Sequence, residues 1–296
     1  MSTLTREARP SMWLRAMPAL FVLIWSTGFV VARLGMPHAP PMTFLSWRFA
    51  LSIGAFGVWI VVARNVQWPR SHRQWFHLAV LGTLQHAGYL GGVWAAVKAG
   101  MPAGLTALVV CLQPVLTAAW LSWRGAEHRI SGRQWMGLWL GLGGLTLVLW
   151  HRMQGGAMGA ASLLLAIGAL LSITIGTLYQ KRFVEPVDVR AANLVQLAAA
   201  LLATLPLALL EHEAMQWNAP LWSAMAWSVL GLTLGGSSLL YLLIQRGAAT
   251  EVTSLFYLVP PCTALLAWIG FDEVITPSMW LGMVLCATAV FLVRRG

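Results

Sequence analysis

Apolar stretches of about twenty residues recur ten times along this 296-residue chain, and that recurrence limits what it can fold into more than any other feature. Twenty residues of helix rise about 30 Å, the thickness of a bilayer's hydrocarbon core. The stretches cover approximately 16–33, 41–62, 75–97, 101–122, 132–150, 157–179, 190–210, 220–244, 250–270 and 278–293. Turn and polar residues separate them, as at Pro37 to Pro41, Arg70 to Arg73, Gly125 to Arg129, Gln154 to Gly156 and Pro186 to Arg190. No connection is long enough for a soluble domain, so the chain reads as an all-α membrane protein of ten transmembrane helices. Composition agrees: only 9% of residues are charged, too few to coat a soluble surface. Many of the 17 Trp lie near stretch ends, where indole rings favour the membrane–water interface. Arg6, Arg9 and Arg15 precede the first stretch as in a signal peptide. No small-residue cleavage site follows, so a retained first span is expected.

Lys and Arg accumulate on the cytoplasmic side of membrane proteins. With the N-terminus inside, fifteen of the 19 fall in cytoplasmic segments and three (Arg33, Lys98, Arg152) on the other side. Arg48, inside a span, is the remaining one. Both termini are therefore expected in the cytoplasm. The net charge of +10 does not indicate nucleic acid, because the basic residues are scattered between apolar runs and form no long face or tail. Cys111, Cys262 and Cys286 lie within apolar runs with no metal-ligand spacing, and read as reduced packing residues.

The two halves resemble each other at an offset of 146–149 residues. Pro114 is followed thirteen residues later by Glu127, then Ile130-Ser131 and Trp135-Met136-Gly137. Pro260 is followed thirteen later by Glu273, then Ile275-Thr276 and Trp280-Leu281-Gly282. Weaker matches pair Gly28 with Gly176, Arg48 with Gln196 and Leu81-Gly82 with Leu230-Gly231. Five spans per half is an odd number, so the second repeat must enter the membrane inverted. The domains are expected at 1–152 and 153–296. Inverted repeats occur in secondary transporters, with substrate held near the midplane between the halves.

At these residues the chain resembles a known family. The elements LQPVLTAAWLSWRGAEHRIS and LVPPCTALLAWIGFDEVIT, with Trp25-Ser26-Thr27-Gly28 and Arg48, are similar to the EamA-type domains of the drug/metabolite transporter superfamily. The nearest likeness is to aromatic amino acid exporters of the YddG type. Residues 124–127 depart from the pattern, reading Arg-Gly-Ala-Glu where the family more often has Gly-Glu directly. The resemblance implies a multi-pass, ten-helix exporter of small metabolites in a bacterial inner (plasma) membrane, with hydrophobic or aromatic amino acids as substrates. A monomer is expected, with the lipid bilayer and a small molecule as partners, no nucleic acid and no cofactor.

Polar groups inside spans are costly unless they meet a partner or cavity, and each is a site candidate. Arg48 carries a permanent, planar charge suited to a carboxylate, unless it snorkels or binds helix-end carbonyls. Gln85, His86 and Tyr89 project to one side of the third span, as pocket lining or as interhelical glue. Trp25, Ser26, Trp94 and Gln113 are further candidates in the first half, and Ser237, Ser238, Tyr241 and Tyr257 in the second. Pro114 and Pro260 are expected to bend their spans mid-membrane. Gly88 with Gly92, Gly137 with Gly141 and Gly231 with Gly235 have the small-xxx-small spacing of close helix packing, and Gly282 matches Gly137 in the repeat.

All nine acidic residues fall in loops or at span ends, leaving no buried carboxylate for a proton relay or sodium site. His86 is the one mid-span group that titrates near neutral pH, so the expectation is facilitated diffusion or exchange, with His86 as the alternative coupling site. A cationic-compound exporter would lack a counter-charge. A membrane enzyme would need a paired-carboxylate, His-Asp or metal-ligand constellation, and none is visible. A passive channel fits inverted repeats and Pro-bent helices less well than alternating access.

Overall fold

The computed structural model describes residues 12–123, 131–153, 159–246, 249–271 and 277–295, and the regular elements among them are all helical. Glu127 and Glu273 lie outside the described residues. Among the described residues, six helices are long and apolar enough to cross a membrane: Ala16–His38, Pro41–Ala63, Ala160–Phe183, Val189–Ala208, Ala219–Arg246 and Val252–Gly270. Along the chain the first two α-helices are α1 (Met12–Gly35) and α2 (Pro41–Ala63). The third apolar stretch forms α3 (His72–Gly82), a π-helical segment Thr83–Gly88 and α4 (Tyr89–Lys98). The fourth is α5 (Ala103–Val110) and α6 (Gln113–Trp123), and α7 spans Gly132–Met153. In the second half, α8 (Ala160–Phe183) and α9 (Val189–Ala208) are long and continuous. Then come α10 (Ala219–Trp227), a π segment Ser228–Ser237 and α11 (Ser238–Arg246). The ninth stretch is α12 (Ala249–Ser254), a 3-10 turn Leu255–Leu258 and α13 (Val259–Phe271), and α14 is Pro277–Arg295.

The interruptions fall at matching places: π segments in the third and eighth stretches, breaks in the fourth and ninth. This corrects the expectation for the prolines. Pro114 and Pro260 do not kink continuous helices. Each sits in the first turn of a new helix, α6 or α13, where its missing N–H costs no helical bond. The breaks in α-helix lie just before them, at Cys111–Leu112 and Leu255–Leu258. The two breaks touch, since Cys111 Sγ donates to Phe256 O at 2.8 Å. Cys111 and Cys262 are reduced thiols.

The helices pair in a pattern that exchanges the halves. α1 packs on α10, the second π segment and α13, while α8 packs on α4, the first π segment and α6. α2 lies against α9 and α7 against α14, each helix meeting its counterpart. Glycine makes the close approaches possible. A Cβ on Gly88 would stand 2.1 Å from Ser172 Oγ, and one on Gly92 2.7 Å from Leu165 O, so this small-xxx-small pair seats α8. A Cβ on Gly141 would stand 2.7 Å from the Tyr257 ring, whereas the nearest atoms to one on Gly231 belong to Trp227 of the preceding turn.

Side chains from both halves tie the ends together. At one end, Glu211 accepts from Met42 N (2.9 Å), Thr43 N (2.7 Å) and Thr43 Oγ1 (2.8 Å), capping α2 from the other half. Nearby, Lys98 pairs with Glu213 at 2.6 Å and Asn218 meets His38 Nδ1 at 3.0 Å. At the other end, Gln74 donates to Glu185 (2.6 Å) and Arg190 to Asn65 O (3.0 Å). Ser71 and Gln74 form a capping box that starts α3. The outer surface is apolar, with Val62 and Leu202 more than 70% exposed, while Arg48, Asn193 and Gln196 are buried. That is the distribution of a helix bundle surrounded by hydrocarbon.

Candidate functional site

A cavity lies between α1, α2, the α3–α4 rod and the second π segment, and it gathers six predicted site residues: Trp25, Arg48, Gln85, His86, Tyr89 and Trp94. Ser237 joins them from the other half, with Leu232 and Gly28 completing part of the wall. The local structure explains the gathering. A π turn widens the helix and frees carbonyls from regular bonding, and such turns recur at functional sites. In the second π segment, hydroxyls five residues on take up two of these carbonyls: Thr233 Oγ1 donates to Ser228 O (2.8 Å) and Ser237 Oγ to Leu232 O (3.4 Å). In the first, the wide turn carries Gln85 and His86 into the interior, both buried.

Aromatic rings form the wall. Trp25 stacks on Tyr89 with centroids 5.9 Å apart and planes at 8°, and its Nε1 donates to Tyr89 Oη at 3.2 Å. Phe21 and Phe256 also pack against Trp25, at 5.1 and 5.7 Å. Trp94 stacks on Phe44 at 4.5 Å and sits 5.9 Å below Arg48 Cζ. Arg48 is 2% exposed, and its Nε donates to Thr233 Oγ1 at 3.0 Å. Its Nη1 has no hydrogen-bond partner, and neither does His86 Nε2. Phe49 presents an edge-to-face contact to His86 at 6.0 Å, and Gln196 lies beside that ring.

Buried polar atoms of this kind are nearly always satisfied, so a cationic nitrogen and an imidazole nitrogen left open beside one cavity are able to meet a polar group there. Among the described residues no carboxylate lines the cavity, and no group of three or more His, Cys, Asp or Glu is arranged to hold a metal ion. The fixed charge is positive, which suits an anionic group, with apolar ring surface beside it. The cavity holds about 30 Å³, room for a water molecule or two and too little for an amino acid.

The other candidates lie elsewhere. Ser26 Oγ donates to Val22 O (2.6 Å), and Ser26 O accepts from Thr263 Oγ1 (3.2 Å), joining α1 to α13. Gln113 Nε2 donates to Thr177 Oγ1 at 2.9 Å, joining α6 to α8. Tyr241 belongs to a separate apolar cluster with Leu78, Leu81, Ala192 and Val195. Tyr257 donates to Leu138 O at 3.4 Å under α7, and Ser238 is buried without lining the cavity. In this conformation Ser26, Gln113, Tyr241 and Tyr257 serve contacts between helices. Sequence reasoning leaves out Thr233 and Gln196 as site residues. A signal for Gln196 was present, because the repeat aligns it with Arg48.

Residues 14–150 and 160–295 each match the EamA-like transporter family. The chain is 24% identical over 278 residues to the "uncharacterized transporter YvbV" of Bacillus subtilis, covering 93% of this chain and 90% of that protein. It is 27% identical over 284 residues to the "uncharacterized inner membrane transporter YedA" of Escherichia coli K12, covering 94% and 90%. A "probable amino-acid metabolite efflux pump" of the same organism is 24% identical over 283 residues, covering 92% of each. One solved crystal structure shares the fold with a TM-score of 0.75 at 19% identity, over 94% of this chain and 96% of its own.

Proposed function

This chain belongs to the EamA-like transporter family, and on that premise we propose that it exports hydrophobic or aromatic amino acids, or closely related metabolites, by alternating access across a bacterial inner membrane. The reading includes ten spans in two inverted repeats, 1–152 and 153–296, with both termini cytoplasmic. The observation that carries the substrate class is the open Nη1 of buried Arg48 above the Trp94 ring. A planar guanidinium anchored at Nε presents its remaining N–H groups to a carboxylate, and His86 Nε2 offers a second polar contact. Trp25, Tyr89 and Trp94 then supply apolar surface for the side chain. A cationic drug or polyamine would meet the Arg48 charge with no carboxylate to offset it.

The small cavity supports alternating access, because binding requires the halves to separate and remake the site around the ligand. The polar ties at the two ends, centred on Glu211 and on Glu185, are the contacts that opening on either side would break. Counterflow of labelled aromatic and aliphatic amino acids in proteoliposomes tests the reading. Saturable exchange of an amino acid, lost in Arg48→Ala while the protein stays folded, is the expected result. Exchange of organic cations but of no amino acid would overturn it.

A further inference from the structure

A second groove, of about 770 Å³, runs between α6 and α8 and opens sideways toward the hydrocarbon. Its floor comes from Leu171, Ile175 and Leu178, which share one face of α8, and its far wall from Leu116 and Trp120 on α6. Leu171 and Ile175 are about half exposed, so none of the described residues fills the space. At one end the groove closes on Trp123, Tyr179 and Arg182. Arg182 forms no ion pair among the described residues, and its guanidinium lies 5.4 Å from the Phe183 ring.

We propose that this groove is a binding site for an anionic glycerophospholipid of the cytoplasmic leaflet, with an acyl chain in the groove and the phosphate at Arg182. Length is the first argument. From Leu171, near the middle of α8, to Phe183 at its end, the groove follows the helix for about 18 Å at 1.5 Å per residue. A single leaflet contributes about half of a 30 Å hydrocarbon core, so the groove spans one leaflet from midplane to interface. A second copy of the chain packing on α8 would instead be expected to use its whole length.

Charge is the second argument. The groove's polar end holds Arg182, a cation with no ion-pair partner among the described residues, on the face that also carries Arg64, Arg70, Arg73, Lys181 and Arg190, the side of the positive excess. The cytoplasmic leaflet is the anionic one, and basic pockets between helices on that side suit acidic headgroups. Trp123, 79% exposed at the same end, adds an indole at headgroup depth.

The test uses the purified full chain, delipidated in detergent and titrated with phosphatidylglycerol or phosphatidylcholine of identical acyl chains, with bound lipid counted by native mass spectrometry. Phosphatidylglycerol should bind in preference. Arg182→Gln should weaken it about fivefold and weaken phosphatidylcholine less, so that the preference between the two shrinks. Ala119→Trp, which fills the groove wall, should weaken both. Equal affinity for the two lipids in the native chain, or phosphatidylglycerol binding that neither variant changes, overturns the proposal, as does a dimer that Ala119→Trp dissociates. No transport is measured, so the outcome stands apart from the exporter reading.

Discussion

Arg48 on α2 and Thr233 in the second π segment meet across the two halves: Arg48 Nε donates to Thr233 Oγ1 at 3.0 Å, and Thr233 Oγ1 in turn donates to Ser228 O at 2.8 Å. The carbonyl that accepts from Thr233 lies five residues back, the spacing that a π turn favours. The backbone irregularity thus orients a hydroxyl, and the hydroxyl fixes the guanidinium that faces the cavity. A conformational change that rewinds the π segment would release Arg48.

Thr233→Val keeps the side-chain volume but removes the acceptor, leaving a buried charge less well held. The expected cost is about 1–3 kcal/mol in stability and, where the same contact positions Arg48 for substrate, a roughly tenfold or greater loss of exchange. Arg48→Lys should fail to restore transport, because a point charge cannot both hold Thr233 and present a second nitrogen. Counterflow rates beside detergent unfolding temperatures separate the two effects.

His86 bears on coupling. Its Nε2 faces the cavity unpartnered, and among the described residues no carboxylate lines the same space. A relay that takes up and releases protons near neutral pH would need a carboxylate or a second histidine within reach, and none lines this cavity among the described residues. Exchange should therefore persist in proteoliposomes with no imposed ion gradient. A strict requirement for a proton gradient that disappears in His86→Ala would make His86 the coupling residue and refute this.

Glycine positions give a sharp steric contrast. A Cβ on Gly82 would stand 2.2 Å from Gln196 O and 2.5 Å from Gln196 Cα, atoms of the α9 backbone that have no room to move. Gly57, on α2, has nothing within 4 Å of the same position. Gly82→Ala should cost about 3 kcal/mol or more by overpacking, while Gly57→Ala should be neutral or slightly stabilising through helix propensity. Thermal unfolding in detergent of both variants checks the pair.

Much of this was legible in the sequence because the bilayer imposes a simple rule. The length of each apolar run, the Pro-to-Glu spacing and the matched Gly28 and Gly176 identified an all-helical, repeated membrane unit without tertiary information. Arg48, Gln85, His86 and Tyr89 stood out as polar groups that hydrocarbon would reject. The π segments did not, because a one-residue widening leaves no mark on hydropathy. They change which face a residue presents, so Ser237 and Leu232 reach the cavity while Tyr241, on the next helix, packs against α3 and α9. Glu211 was equally hidden, since its role as the cap of α2 depends on a contact spanning 169 residues.

At one end of the bundle, Asp188 caps α9 and pairs with Arg190 at 2.6 Å. The Arg190 guanidinium holds the Asp188 carboxyl below its ordinary value. A depressed folded-state pKa stabilises above the unfolded value of about 3.9 and loses that contribution as pH falls through the folded one. Asp188→Asn keeps a capping oxygen and removes the charge, so it should cost under about 1 kcal/mol at pH 7. That difference should shrink as unfolding is followed from pH 6 to pH 3, and a difference that stays constant over this range would exclude the linkage.

Topology can be tested through the two polar networks. Residues 38, 42, 43 and 98 meet 211, 213 and 218 at one network, and 65 and 74 meet 190 and 185 at the other. In the proposed ten-span arrangement the first network is external and the second cytoplasmic. An additional or missing span between any two members would split a network across the membrane, which its hydrogen bonds forbid. In a background with Cys111, Cys262 and Cys286 replaced by Ala, a single cysteine at Met215 should react with an impermeant maleimide in intact cells. One at Gln67 should react only after permeabilisation, and a reporter fused after Gly296 should be active in the cytoplasm. Labelling of Gln67 from outside, or an external C-terminal reporter, would overturn the orientation and force a different span count.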